Sequence, residues 1–230
     1  MILLNERLKA VAQLVPKNAK VIDVGCDHAY LSIYLKQHHI ATKVVASDNK
    51  EGPLREAQKN IKREKVDVET LLADGVSKIP DDIDTVVVSG MGGGNIIGMF
   101  KYTPEKLKNV KTLVLSPNND LIRVRKEISK LGFYIEDETL VKYKNIIYVV
   151  MKWQRGKRRI RKKECIYGPI LAEKKGPLFQ EYLSSSIKQK ELLLKVLPKK
   201  YWLRRIQIQH EIKMLKDIGS MSSSVGETKN

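Results

Sequence analysis

Five short, almost continuously apolar runs, separated by segments of helical spacing, constrain this chain more than any other feature. The runs are residues 20–25 (KVIDVG), 43–48 (KVVASD), 68–74 (VETLLAD), 84–89 (DTVVVS) and 112–116 (TLVLS). Helices are expected at 27–38, 52–64, 94–101 and about 120–130. A strand apolar on both faces must be covered on both, and a parallel neighbour needs a crossover of a dozen or more residues, which these helical segments supply. Residues 133–141 (FYIEDETLV) and 145–153 (NIIYVVMKW) then follow with a short lysine-bearing turn between them. They read as a hairpin that makes one edge of the sheet antiparallel. Ahead of the first strand, Leu4, Leu8, Val11 and Val15 recur at helical spacing, as in an amphipathic helix packed on the sheet edge.

The composition shifts at residues 154–164 (QRGKRRIRKKE), where we place a boundary between a domain at 1–154 and one at 155–230. Beyond it, Leu183, Ile187, Lys190, Leu194 and Leu197 step by fours and threes, and Tyr201, Arg205, Ile208, Ile212 and Leu215 repeat the pattern. Such seams predict a coiled-coil-like helical hairpin hinged at Pro198, pairing within one chain and leaving the protein a monomer. The tail from Ile218 onward, IGSMSSSVGETKN, is expected to be disordered. Charge follows the same division. Residues 1–150 hold 23 Lys and Arg against 19 Asp and Glu, a net +4, whereas residues 151–230 hold 20 against 7, a net +13. Basic charge concentrated in this way suits a polyanion, because each cation set against a phosphate releases a condensed counterion. Arg155, Lys157, Arg158, Arg159, Arg161, Lys162 and Lys163 are the expected nucleic-acid contacts.

No run approaches the ~20 apolar residues that cross a bilayer, and Glu6, Arg7 and Lys9 interrupt the N-terminal segment, which makes it a poor signal peptide. With two cysteines, Cys26 and Cys165, and His38, His39 and His210 at no ligand spacing, neither a disulfide framework nor a metal site is expected. The expectation is a reduced, cytoplasmic protein without a membrane partner.

In a doubly wound sheet, ligands settle at the carboxyl ends of the strands. Here those ends carry Asp23-Val24-Gly25-Cys26-Asp27-His28, Asp48, Asp74-Gly75, Gly90-Met91-Gly92-Gly93-Gly94 and Pro117-Asn118-Asn119. Gly25 lets a ligand approach the backbone, but Asp27 and Ala29 stand where a dinucleotide site would have glycines, and a pyrophosphate would be repelled by Asp23 and Asp27. The same carboxylates favour a ligand that is cationic at its amino-acid end, as S-adenosylmethionine is. Asp48, about 20 residues past Gly25, stands where a carboxylate takes a ribose diol, and Asp74 is placed to accept from an adenine amino group. The Gly90–Gly94 run lacks a following Gly-Lys-Ser/Thr, which argues against nucleotide hydrolysis, and leaves room for a flat base. The expected cofactor contacts are Asp23, Gly25, Cys26, Asp27, His28, Asp48, Asn49, Ala73, Asp74, Gly75, Gly90, Met91 and Gly92.

Five parallel strands closed by an antiparallel pair is by analogy the Rossmann-like sheet of class I S-adenosylmethionine methyltransferases. The segments DVGCDHAYLS, Glu51-Gly52-Pro53, LADG, SGMGG and Ser116-Pro117-Asn118 resemble those of the bacterial tRNA adenine-22 N1-methyltransferases, the TrmK family. The pattern departs at Cys26 and Ser32, where the family has serine and proline, and at Ser116, where it has glutamine. The resemblance implies methyl transfer from S-adenosylmethionine to N1 of a tRNA adenine, with Asp27, His28, Tyr30 and Asn118 nearest the reaction. No Asn/Asp-Pro-Pro-Tyr/Phe motif follows the fourth strand, which fits a ring-nitrogen target. The residues by themselves leave open a methyltransferase acting on another RNA, such as ribosomal RNA, or a non-catalytic RNA-binding protein of the same fold.

Overall fold

The computed structural model describes residues 2–223, in two compact units, Met1–Arg159 and Ile160–Asn230. In the first, the apolar runs become β1 (Ala19–Val24), β2 (Ala41–Asp48), β3 (Glu69–Leu72), β4 (Thr85–Ser89) and β5 (Thr112–Ser116). The hairpin supplies β6 (Phe133–Tyr143) and β7 (Ile146–Arg155). The helices are α1 (Glu6–Leu14), α2 (Tyr30–Gln37), α3 (Glu51–Glu64), α4 (Gly93–Tyr102) and α5 (Leu121–Lys130), with a 3-10 turn at Pro104–Leu107. The seven strands order as β3-β2-β1-β4-β5-β7-β6. β1 pairs in parallel with β2, Val21 opposite Val44, and with β4, Val21 opposite Thr85, and the chain reverses its winding between β1 and β4. β7 inserts antiparallel between β5 and β6. Val21, Ile22, Val86, Val87, Val88, Leu113, Val114 and Leu115 are wholly buried, as strands covered on both faces require.

The elements differ from the sequence expectation mainly at their ends. The second helix begins at Tyr30, because Asp27 and Ala29 take left-handed backbone angles (φ 48° and 57°) that no helix accepts. The third strand stops at Leu72: the Ala73 amide bonds to the Asp48 carbonyl at 3.0 Å and the chain turns away at Asp74. α1 starts as the spacing predicts, with Asn5 Oδ1 accepting from the Leu8 amide at 3.0 Å.

In the second unit, two short helices, α6 (Lys162–Tyr167) and α7 (Pro169–Lys174), precede the hairpin of α8 (Phe179–Val196) and α9 (Trp202–Ser223). The two polar interruptions of the seam have defined partners. Lys190 pairs with the buried Glu211, and Arg205 Nη1 donates to the Leu194 and Leu197 carbonyls at 2.7 and 2.6 Å, closing the end of α8. Leu183, Ile208, Ile212 and Leu215 are buried, but Tyr201 is exposed and belongs to a 3-10 turn (Lys199–Tyr201), so the expected seam opens toward Pro198. The tail expected to be disordered is helical from Ile218 to Ser223, and residues 224–230 lie outside the described residues.

One ion pair joins α5 to the hairpin inside the first unit: Arg125 Nε lies 2.8 Å from Glu138 Oε1, and both side chains are fully buried. Removing one member breaks this ion pair in the interior, which costs about 3–5 kcal/mol. Urea unfolding of Arg125→Leu is therefore expected to show a loss of that order, with most of it recovered when Glu138→Leu is added. A single-variant loss below about 1 kcal/mol would contradict this account.

Candidate active site

The parallel pairing brings five loop segments to one edge of the sheet. The Gly25 and Cys26 amides both bond to the Ser47 carbonyl, at 2.8 and 3.0 Å, so the loop after β1 is stitched to the end of β2. The turn that follows is bent: Gly25, Asp27 and Ala29 all have positive φ, and for the two non-glycine residues this costs of order 1 kcal/mol each. The conformation is held from α3, where the buried Asn60 donates Nδ2 to the His28 carbonyl at 3.0 Å, and by an Ala29 amide to Cys26 carbonyl bond of 2.8 Å. As a result the Asp27 carboxylate stands out in solvent, with His28 Nε2 3.7 Å from its Oδ1. The His28 and Tyr30 rings stack, centroids 5.3 Å apart and planes 17° from parallel, and Tyr30 is 40% exposed.

Asp23 does not join this exposed edge. It is 4% exposed, and Ser32 Oγ donates to its Oδ2 at 2.7 Å. Burial raises its carboxyl from the ordinary 3.8 to about 6, with the Ser32 bond pulling the other way. Ser32, a departure from the family pattern, thus supplies a hydroxyl that addresses this carboxylate. Cys26 is also buried, and burial together with the charges of Asp23, Asp48 and Asp27 pushes its thiol well above the ordinary range, leaving no nucleophile there. Asp48 Oδ1 accepts from the Lys50 amide at 3.0 Å, and Asn49 and Asp74 are exposed beside the ends of β2 and β3.

The ends of β4 and β5 are laced together. The Gly90 amide bonds to the Ser116 carbonyl at 3.2 Å, the Asn118 amide to the Met91 carbonyl at 2.9 Å, and Asn118 Nδ2 to the Gly90 carbonyl at 2.6 Å. Asn119 Oδ1 accepts from the Gly93 amide at 2.9 Å, at the start of α4. A Cβ at Gly93 would lie 2.6 Å from the Asn119 carbonyl oxygen, so this close approach needs glycine. Arg7, from α1, donates Nη2 to the Ser116 carbonyl at 2.7 Å and Nε to Ser116 Oγ at 3.2 Å. Asn60, Ser32, Asn119 and Arg7 were not among the residues expected from the sequence to contact a ligand. Their partners lie between 9 and 109 positions away, with no local motif to betray them.

The basic residues divide. Lys157, Arg158 and Arg159 are exposed in the first unit, and Arg161, Lys162 and Lys163 are exposed in the second, where they sit at the start of α6. Arg155 corrects the expectation. Its Nε donates to the Val110 carbonyl at 2.7 Å, its Nη2 to that of Leu107, and its guanidinium lies 4.3 Å from the Phe133 ring centroid. It fastens the end of β7 in place. Among the described residues no His, Cys, Asp or Glu cluster could hold a metal, and no helix is long and apolar enough to cross a membrane.

A family model described as a methyltransferase domain matches residues 4–151. The chain belongs to the methyltransferase domain family. The TrmK resemblance is borne out by a Bacillus subtilis tRNA (adenine(22)-N(1))-methyltransferase, 27% identical over 185 residues, which cover 76% of this chain and 78% of that protein. A Streptococcus agalactiae protein of the NADB-Rossmann superfamily is 31% identical, with a TM-score of 0.88 over 95% of this chain and 99% of its own. A Streptococcus pneumoniae protein solved in complex with S-adenosyl-L-methionine is 27% identical, with a TM-score of 0.84 over 95% of this chain and 100% of its own. The methyltransferase sheet expected from the apolar runs is therefore the observed one.

The raised Asp23 carboxyl has a consequence for stability. Between pH 3.8 and about 6 the folded chain keeps a proton that the unfolded chain has lost, so stability falls as pH rises through this window. The full loss, reached above about pH 6, is roughly 3 kcal/mol. Asp23→Asn keeps an oxygen for Ser32 but cannot ionise. Its urea-unfolding free energy, compared with that of the parent chain, is expected to gain steadily from pH 4 to pH 7; parallel profiles would disprove the assignment.

Proposed function

We propose that this protein transfers a methyl group from S-adenosyl-L-methionine to N1 of an adenine in tRNA, adenine-22 by its likeness to the Bacillus subtilis enzyme of that name. The observation that carries the reading is the strained turn after β1, which presents an exposed carboxylate beside two stacked rings. The strand ends suit the cofactor's chemistry. The exposed Asp27 provides negative charge for its ammonium and sulfonium, with the enclosed Asp23 behind it at the end of β1, and Asp48 keeps one carboxylate oxygen beyond the Lys50 bond for ribose hydroxyls. Asp74 accepts from its adenine, and Gly25 and Gly90 let the backbone come close. The cofactor, when bound, supplies an electrophilic methyl carbon on a positive sulfur.

Adenine N1 carries its own lone pair, and no proton is removed before attack. The chain's own work is therefore orientation and exclusion of water. His28 and Tyr30 offer a flat surface for the purine. Asn118, its Nδ2 already committed to Gly90, turns its Oδ1 to the exocyclic amine and so directs N1. Asp27 stabilises the positive charge that methylation leaves on the ring. Because N1 lies on the Watson–Crick edge, the base is taken out of its tertiary contacts to react. Lys157, Arg158, Arg159, Arg161, Lys162 and Lys163 hold the tRNA backbone. In this reading the protein acts in the cytoplasm as a monomer, the Pro198 turn being short enough to pair α8 with α9 of the same chain.

Incubation with labelled S-adenosylmethionine and total RNA, followed by mapping of the modified base, tests the proposal. Label at tRNA adenine-22 N1 is expected. Label confined to ribosomal RNA would favour the other-RNA reading, and no label the non-catalytic one. Asp27→Ala and Tyr30→Ala are each expected to lower the single-turnover rate with tRNA by about tenfold or more, and their assigned roles are lost if both keep the full rate. Replacing Arg158, Arg159 and Arg161 by glutamine is expected to weaken tRNA binding and flatten its log–log salt slope by roughly 2–3. Cofactor affinity should stay unchanged. An unaltered slope would place the RNA surface elsewhere.

A further inference from the structure

Arg7 lies on α1, outside every loop of the strand-end site, yet its guanidinium is spent on the last residue of β5. Nε bonds to Ser116 Oγ at 3.2 Å and Nη2 to the Ser116 carbonyl at 2.7 Å, while the Tyr148 ring of β7 lies beneath, 4.1 Å from the guanidinium carbon. The Ser116 carbonyl is shared: it also accepts the Gly90 amide at 3.2 Å, and the Gly90 carbonyl in turn accepts Asn118 Nδ2 at 2.6 Å. A continuous line of hydrogen bonds therefore runs from Arg7 through Ser116 and Gly90 to the Asn118 carboxamide.

The contact is not needed to hold the elements it joins. α1 is anchored by the buried Ala10, Val11 and Ala12 and capped by Asn5, and β5 is paired with β4 from Thr112 to Ser116 and with β7 from Thr112 to Leu115. What the guanidinium fixes is the point where β5 stops being a strand, one residue before Pro117. A planar fork with two donors sets direction as well as distance, which a single ammonium cannot.

We propose that Arg7 is a positioning residue for the acceptor pocket, aiming the Asn118 carboxamide through Ser116 and Gly90 without touching either ligand. The inference rests on the reading of Asn118 as the group that directs the acceptor adenine.

A double-mutant cycle on the full chain tests it. Single-turnover methyl transfer to a tRNA transcript is measured for Arg7→Ala, Asn118→Ala and the double variant, with cofactor affinity by calorimetry. Arg7→Ala is expected to slow transfer about 10- to 100-fold and to leave cofactor affinity within about twofold, and the double variant to be no slower than Asn118→Ala. Losses that multiply, or a wild-type rate in Arg7→Ala, would overturn the proposal. Should Arg7→Ala fail to fold, Ser116→Ala and Arg7→Lys enter the same cycle, with partial activity and the same non-additivity expected. A parent chain that methylates no tRNA would count against the functional reading alone. In that event the nitrogen-15 signal of the Asn118 side-chain amide still reports on positioning. It should shift and lose protection from hydrogen exchange in Arg7→Lys, and an unmoved signal would refute the inference.

Discussion

Parallel pairing of β1 with β2 on one side and β4 on the other, in register from Val21 to Val24, is the constraint on which the site depends. A parallel neighbour can be reached only by a crossover, so each strand must end at the same edge before its helix returns the chain. Because the winding reverses between β1 and β4, the loops after these two strands part in opposite directions and leave a crevice. The Asp27 turn, Asp48, Asp74 and the Gly90–Asn118 lacing are all drawn to that edge by backbone geometry, before any side chain chooses a partner.

Side-chain chemistry then divides the acidic groups into two kinds. Asp27 and Asp74 stand in solvent, while Asp23 is enclosed and tied to Ser32. A buried carboxylate with a single hydroxyl partner is under-satisfied, which is why its proton is held to about pH 6. A positive group bound at the end of β1 would relieve that deficit. The strained backbone at Asp27 and Ala29 fits the same picture: Asn60 and the Ser47 carbonyl hold the turn in a shape the free chain would not keep.

Much of this was legible in the order of residues. The apolar runs marked the strands, and the charge rises near residue 154, a few positions before the compact units divide after Arg159. The misplacements have physical causes. Arg155 stands in a basic run, but β7 extends through it and its guanidinium meets the carbonyls of Leu107 and Val110, nearly fifty positions back. The tail from Ile218 reads as polar and low in complexity, yet α9 continues to Ser223. Tyr201 fits the seam by spacing, but Pro198 starts a 3-10 turn that carries it out of phase with the helix that follows.

Period and composition act over a few residues, and what they control was determined by the sequence alone: which segments are strands and which are helices, where basic charge concentrates, and which carboxylates end the strands. Whether a carboxylate is open or enclosed, which arginine grips a carbonyl and which stays exposed, and which carbonyl the Asn118 carboxamide bonds were decided only by the tertiary structure. Those outcomes turn on distances between groups far apart in the chain, such as Arg7 and Ser116, and no local pattern encodes such a distance until the sheet has brought the two ends together.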